Sequence, residues 1–191
     1  MHRIQLAVAV VIGLLPALMV GPARALPGQS QEETKAWILA NPTLNPQADG
    51  SLLVRQSDTP ARRFTFQASA FRVGLLTPVP MGGIVRTEEI TFFDMVNGVN
   101  RFRLEESLRA IYGAALYQDY VQGRRVYAYP NANNRPNTKI GKALQGDVRE
   151  GDRYAYWVEI VNRADGYPYM GKLVVFLKED LPKLLAELQN R

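Results

Sequence analysis

Two apolar stretches near the C-terminus, Arg153 to Asn162 (RYAYWVEIVN) and Tyr169 to Lys178 (YMGKLVVFLK), flank the turn-rich segment RADGYP. Two strand-length runs rich in aromatic and β-branched residues, meeting at an Asp-Gly turn, predict a long β-hairpin. Nothing else in the chain constrains the fold as strongly. A hairpin makes its own sheet antiparallel, and apolar residues on its strands need a covering layer of helices.

Successive side chains of a strand point to opposite faces. In the first strand Tyr154, Tyr156, Val158 and Ile160 share one face, while Arg153, Ala155, Trp157, Glu159 and Val161 share the other. The tyrosine face is expected to look inward, beneath helices. A second Tyr-Ala-Tyr lies in RRVYAYP, Arg124 to Pro130, and reads the opposite way. Here Val126 and Ala128 make the plainer apolar face, so Arg125, Tyr127 and Tyr129 are expected to look outward. If the two strands are neighbours, Arg153 and Trp157 join that row in an aromatic and cationic platform suited to stacking on sugars or clasping a peptide. The plainer alternative is that tyrosine, with its high strand propensity, simply covers a sheet surface.

The remaining pattern supplies the other elements. SQEETKAWILA, Ser30 to Ala40, opens with capping-box spacing between Ser30 and Glu33 and predicts a helix anchored by Trp37. Strands are predicted near Leu52 to Gln56, Arg62 to Ala70 and Ile84 to Phe93, with Phe64, Phe66 and Ala68 alternating against Thr65, Gln67 and Ser69. RFRLEESLRAIYG places Leu104, Leu108 and Ile111 at helical spacing and ends on Gly113. Leu116 to Val121 and Arg124 to Tyr129 read as a second hairpin, and Thr138 to Gln145 as a weak helical turn. EDLPKLLAELQNR carries Leu181, Leu184, Leu185 and Leu188 on one stripe of a closing helix. The fold class expected is α+β: a single antiparallel sheet of about five to seven strands, with amphipathic helices covering one face. TPVPMGG, Thr77 to Gly83, reads as a loop, and PNANNRPN, from Pro130, as another.

Residues 1–25 have the three parts of a secretory signal: His2 and Arg3, an uncharged run from Leu6 to Val20, and Ala23-Arg24-Ala25 as a cleavage site. The run is short for a membrane span of about 20 residues and is broken by Pro16, so no stable anchor is expected after cleavage. Without a cysteine there is no lipid attachment point either. Residues 26–191 then form a single α+β domain. It loses Arg3 and Arg24 and keeps 21 basic against 18 acidic residues, so the net charge falls from +5 to +3. Spread without lysine or arginine runs, that charge does not point to nucleic acid.

The single histidine is His2, inside the signal, and cysteine is absent. The mature chain is therefore without the Ser-His-Asp and Cys-His systems and without His or Cys ligands for zinc, copper or haem. No cofactor is expected. Carboxylate chemistry remains open, as in a glycosidase with an acid and a base; Glu159 and Asp119 are its nominees because each interrupts a predicted strand. There is no P-loop, no G-x-G-x-x-G, no S-x-x-K and no calcium loop.

The segments LPGQ, RFTFQAS, ITFFD, RLEESLR, IYG, YQDY, RYAYWVEI and FLKEDL together resemble small exported proteins of cyanobacteria that carry no assigned function. The resemblance carries no catalytic signature; it implies the periplasm, the outside of the cell or the thylakoid lumen. The expectation is an exported, non-enzymatic envelope or lumenal protein binding a protein or glycan partner. Its ligand-binding residues would be Arg125, Tyr127, Tyr129, Arg153 and Trp157. The alternatives are a carbohydrate-active hydrolase working near the 77–83 loop and a small-molecule carrier with a cavity between sheet and helices.

Overall fold

Ser30 starts the first helix as its spacing with Glu33 requires: Glu33 N–H donates to Ser30 Oγ (3.2 Å) and Ser30 N–H donates to Glu33 Oε2 (2.9 Å). The computed structural model describes residues 26–46, 51–74, 83–130 and 142–190. Residues 1–25, read above as a signal, most of the 77–83 loop and the loop after Pro130 lie outside them. In chain order the elements are α1 (Gln31–Ala40), β1 (Leu53–Thr59), β2 (Arg62–Ser69), β3 (Thr87–Asp94), α2 (Arg101–Tyr112), α3 (Ala114–Gln122), β4 (Arg124–Tyr129), β5 (Lys142–Glu150), β6 (Ala155–Arg163), β7 (Pro168–Phe176) and α4 (Leu181–Gln189).

The seven strands form one antiparallel sheet in the order β1-β2-β3-β7-β6-β5-β4. Two meanders meet in the middle. After β3 the chain leaves through α2 and α3 to the far edge, then returns strand by strand until β7 closes against β3. The hairpin predicted from RADGYP is β6–β7, at the centre of the sheet. This is the α+β class expected.

Register defines the faces. Phe66, Ile90, Leu173 and Val158 lie opposite one another across four strands, and α1, α2 and α3 cover that face. Trp37 and Ile38 pack with Val54, Phe66 and Ile90, while Leu104, Leu108, Leu116 and Tyr120 pack with Tyr154, Tyr156 and Leu173. Tyr154 and Tyr156 are buried, Tyr156 edge-on to Tyr120 with ring centres 5.4 Å apart. Helices were expected on one face only. The structure places α4 on the other, where Leu181, Leu184 and Leu188 bury against Trp157, Val174 and Phe176. The reason lies in β6, whose first six residues are all buried: a central strand apolar on both sides needs a cover on both sides.

Two local expectations are corrected. Residues 116–121 are helix α3, not a strand; Leu116 and Tyr120, four apart, bury on one side of it. Gly113 sets the break between α2 and α3, with φ of 84°, a conformation that favours glycine. The described part of the supposed helical turn at 138–145 is the start of β5.

Candidate functional site

β4 and β6 are not neighbours, since β5 lies between them. Across β5, Tyr127 lines up with Val148 and then Trp157, and Tyr129 with Gly146 and then Glu159. Parity thus places Tyr127, Tyr129 and Trp157 on one face, and there they do meet. Trp157 Nε1–H donates to Tyr129 Oη (2.8 Å), whose own O–H donates to Glu159 Oε2 (2.7 Å). The face is the one α4 covers. Tyr127 O–H donates to the Leu188 carbonyl (3.3 Å), both tyrosines are half-buried against the leucines of α4, and Trp157 is 2% exposed. The open platform expected from the sequence is therefore a helix-covered layer.

The two arginines stand apart from it. A bulge between Arg125 and Tyr127 breaks the alternation, and Arg125, exposed, pairs in register with Arg149, whose guanidinium lies 4.6 Å from the Tyr120 ring on the α3 side. Arg153 is exposed in the turn before β6, 5.4 Å over the Tyr154 ring. Of the carboxylates nominated for chemistry, Glu159 lies 3.5 Å from Lys172 Nζ. Asp119 is on α3, where Oδ1 accepts the backbone N–H of Asp152 (2.8 Å) and Oδ2 accepts the Tyr156 hydroxyl (2.5 Å). That hydrogen bond and burial raise the Tyr156 pKa, burial being the larger cause.

An aromatic and basic sheet surface does exist, at the other end. α4 spans the β7–β6–β5 side of its face, and on β1–β2–β3 the outward residues have no described helix above them. Arg63 lies 4.4 Å over the Phe93 ring, and Phe93 meets Tyr169 edge-on at 5.9 Å. Arg55, Arg63, Thr65, Thr91, Phe93 and Met170 line a shallow depression of about 440 Å³, with Tyr169 beside it. Arg55 and Arg63 are exposed, Phe93 is half-buried, and no carboxylate is in the lining. The sequence signal was present: Arg63 shares parity with Thr65 and Gln67, the outward set of β2. What sequence reasoning lacked was the pairing of β2 with β3 and of β3 with β7, which sets Arg63 against Phe93 and Phe93 against Met170.

Directly behind it, on the helical face, a groove of about 450 Å³ runs between α2 and the ends of β1, β2 and β3. Phe64 and Phe92, 5.1 Å apart, lie within it. Arg103 lies 4.6 Å over Phe92 and donates to Asp94 Oδ2 (2.7 Å) and to the Gly98 carbonyl (3.2 Å). Burial pushes the Asp94 carboxyl up, but the N–H groups of Asn97 and Val96 and the Arg103 guanidinium outweigh it and hold its pKa at about 2.

Among the described residues no group of histidine, cysteine and carboxylate side chains is arranged to hold a metal ion, and no helix is long and apolar enough to cross a membrane. Compared with known proteins, the chain matches no family model, no curated sequence and no solved structure.

Proposed function

We propose that this is an exported, non-enzymatic binding protein whose partner is an acidic glycan, held on the sheet surface formed by Arg55, Arg63, Phe93 and Tyr169. The observation that carries the reading is the lining of the depression: two exposed arginines, the Phe93 ring and the hydroxyl-bearing Ser57, Thr65 and Thr91, with no acidic residue among the described lining residues and Tyr169 edge-on to Phe93 beside it. Arginine pairs with carboxylate or sulfate groups through charge-assisted hydrogen bonds, and the threonine and serine hydroxyls suit a sugar's own hydroxyls. The basic charge is local, so it acts here although the whole mature chain carries only +3.

The non-enzymatic part of the reading is supported by how three of the buried carboxylates are used. Asp94 is held by Arg103, Asp147 by Arg101 and Asp180 by Arg86. Each serves an ion pair within the fold.

Retention on immobilised polygalacturonate, compared with a neutral dextran matrix, tests the proposal. The mature protein should be retained on the acidic polymer alone and eluted by salt, and Arg55→Gln with Arg63→Gln should abolish retention. Equal elution of the double variant and the parent, with both folded by circular dichroism, would remove the glycan reading.

A further inference from the structure

The groove beneath α2 has charges that the fold leaves unmatched. Five charged residues line it: Asp58, Arg62, Arg63, Arg103 and Glu106. Arg103 is compensated by Asp94 and Glu106 by Arg109 (2.7 Å), while the Arg63 guanidinium is drawn to Phe93 on the opposite face. Asp58 and Arg62 remain. Neither side chain makes an ion pair or hydrogen bond with a described residue, and the Nε of Arg62 is buried with no hydrogen-bond partner. One positive and one negative group therefore flank the same hairpin turn, beside the aromatic pair Phe64 and Phe92 and the apolar Ala110 and Ile111.

We propose that this groove binds a free α-amino acid with an aromatic or large aliphatic side chain. Its carboxylate pairs with Arg62, its ammonium pairs with Asp58, and its side chain lies on Phe64 and Phe92. A plain anion would match Arg62 and be repelled by Asp58; a plain cation would meet the reverse. A zwitterion satisfies both. The volume falls in the range of about 300–1,000 Å³ usual for small-molecule sites. The other polar groups of the lining are already engaged: Gln56 Nε2–H donates to the Leu44 carbonyl (2.5 Å), Ser107 O–H to the Leu104 carbonyl (2.7 Å) and Thr43 O–H to the Ala110 carbonyl (3.3 Å). Selectivity then falls to the two charges and the aromatic surface.

Isothermal titration of the mature protein with L-phenylalanine, phenylalaninamide, N-acetylphenylalanine and glycine tests the assignment. Phenylalanine should bind, and each of the three analogues, missing the carboxylate, the ammonium or the side chain, should bind at least tenfold more weakly. Arg62→Gln and Asp58→Asn should each weaken phenylalanine by about tenfold or more, and Arg62→Gln should leave the residual affinity for the amide unchanged. Both positions lie at the surface end of a hairpin, so melting temperatures should stay near that of the parent. No binding of phenylalanine at millimolar concentration, binding that survives both substitutions, or equal binding of N-acetylphenylalanine would overturn the proposal. Arg55→Gln, on the opposite face, should not alter phenylalanine binding; if it did, the assignment to this groove would fall.

Discussion

Gly146 shows how one missing side chain organises its neighbourhood. The Tyr129 ring comes down on this glycine, and from there its hydroxyl reaches both Trp157 Nε1 and Glu159 Oε2. A Cβ built at 146 would run into the Val158 carbonyl and come within 2.6 Å of the Tyr129 hydroxyl. The first obstacle is backbone of the central strand β6, which has no room to give. Gly146→Ala should therefore destabilise the protein by about 1–3 kcal/mol, the usual cost of overpacking, and shift Trp157 emission as the Tyr129 hydroxyl is displaced. Urea unfolding followed by tryptophan fluorescence measures both. A variant as stable as the parent, with unchanged emission, would show that this contact relaxes freely.

At the scale of elements, α4 is held to the sheet at its start as well as along its leucine stripe. Asp180, 2% exposed, accepts Arg86 Nε–H (3.0 Å) and Nη2–H (2.9 Å), and Arg72 Nε lies 3.1 Å from the same carboxylate. Arg86 also pairs with Glu179, whose side chain is exposed; removing Asp180 leaves the buried guanidinium with that partner alone, and breaking a buried pair in this way costs about 3–5 kcal/mol. Asp180→Ala should lose that much in chemical denaturation and make α4 the first site of limited proteolysis, whereas Asp180→Leu combined with Arg86→Met should lose less than the single change. If the single variant lost under about 1 kcal/mol, α4 would be held by its leucines alone. The helix itself, like α1, α2 and the β6–β7 hairpin, was legible because capping residues, stripe and turn agreed locally. Its side of the sheet was not, because Trp157, Val174 and Phe176 become one apolar face only once β6 and β7 pair. α3 was misread for a related reason: in LYQDYV Tyr117, Tyr120 and Val121 favour strands, and Tyr120 buries by helical spacing from Leu116. The sheet-surface site was legible only as outward residues of β2, since its partners arrive from strands distant in sequence.

Over the whole molecule, the helical face contains a carboxyl whose protonation is coupled to global stability. Glu88 of β3 is 0% exposed, lies opposite Ala68 and Val175, and accepts the Tyr112 hydroxyl on Oε2 (2.6 Å), while its Oε1 is buried with no hydrogen-bond partner. Tyr112 packs against both halves of the core and stacks on Trp37 with ring centres 5.6 Å apart, so the carboxyl sits where α1, α2 and β3 converge. Burial pushes its pKa from the ordinary 4.5 up to about 7, against the lowering influence of the Tyr112 hydroxyl. Because the folded state holds the proton more tightly, the stabilising contribution is complete below pH 4.5. It falls as pH rises from about 4.5 to 7 and is gone above that, a change of about 3 kcal/mol. Asp94 acts in the opposite sense: its depressed pKa contributes stability above its ordinary value of 3.8 that is lost as pH falls toward about 2. Maximum stability is thus expected near pH 4–5, with Tyr112 from α2 and Tyr154, just before β6, as the other titratable groups facing Glu88. Urea unfolding between pH 4 and pH 8 should show the decline in the parent and in Glu89→Gln, whose half-exposed side chain lies on the opposite face of β3, and a flat profile over this range in Glu88→Gln. A decline of equal size in Glu88→Gln would place the titrating group elsewhere, and the convergence of the two core halves on Glu88 would then be a matter of packing alone.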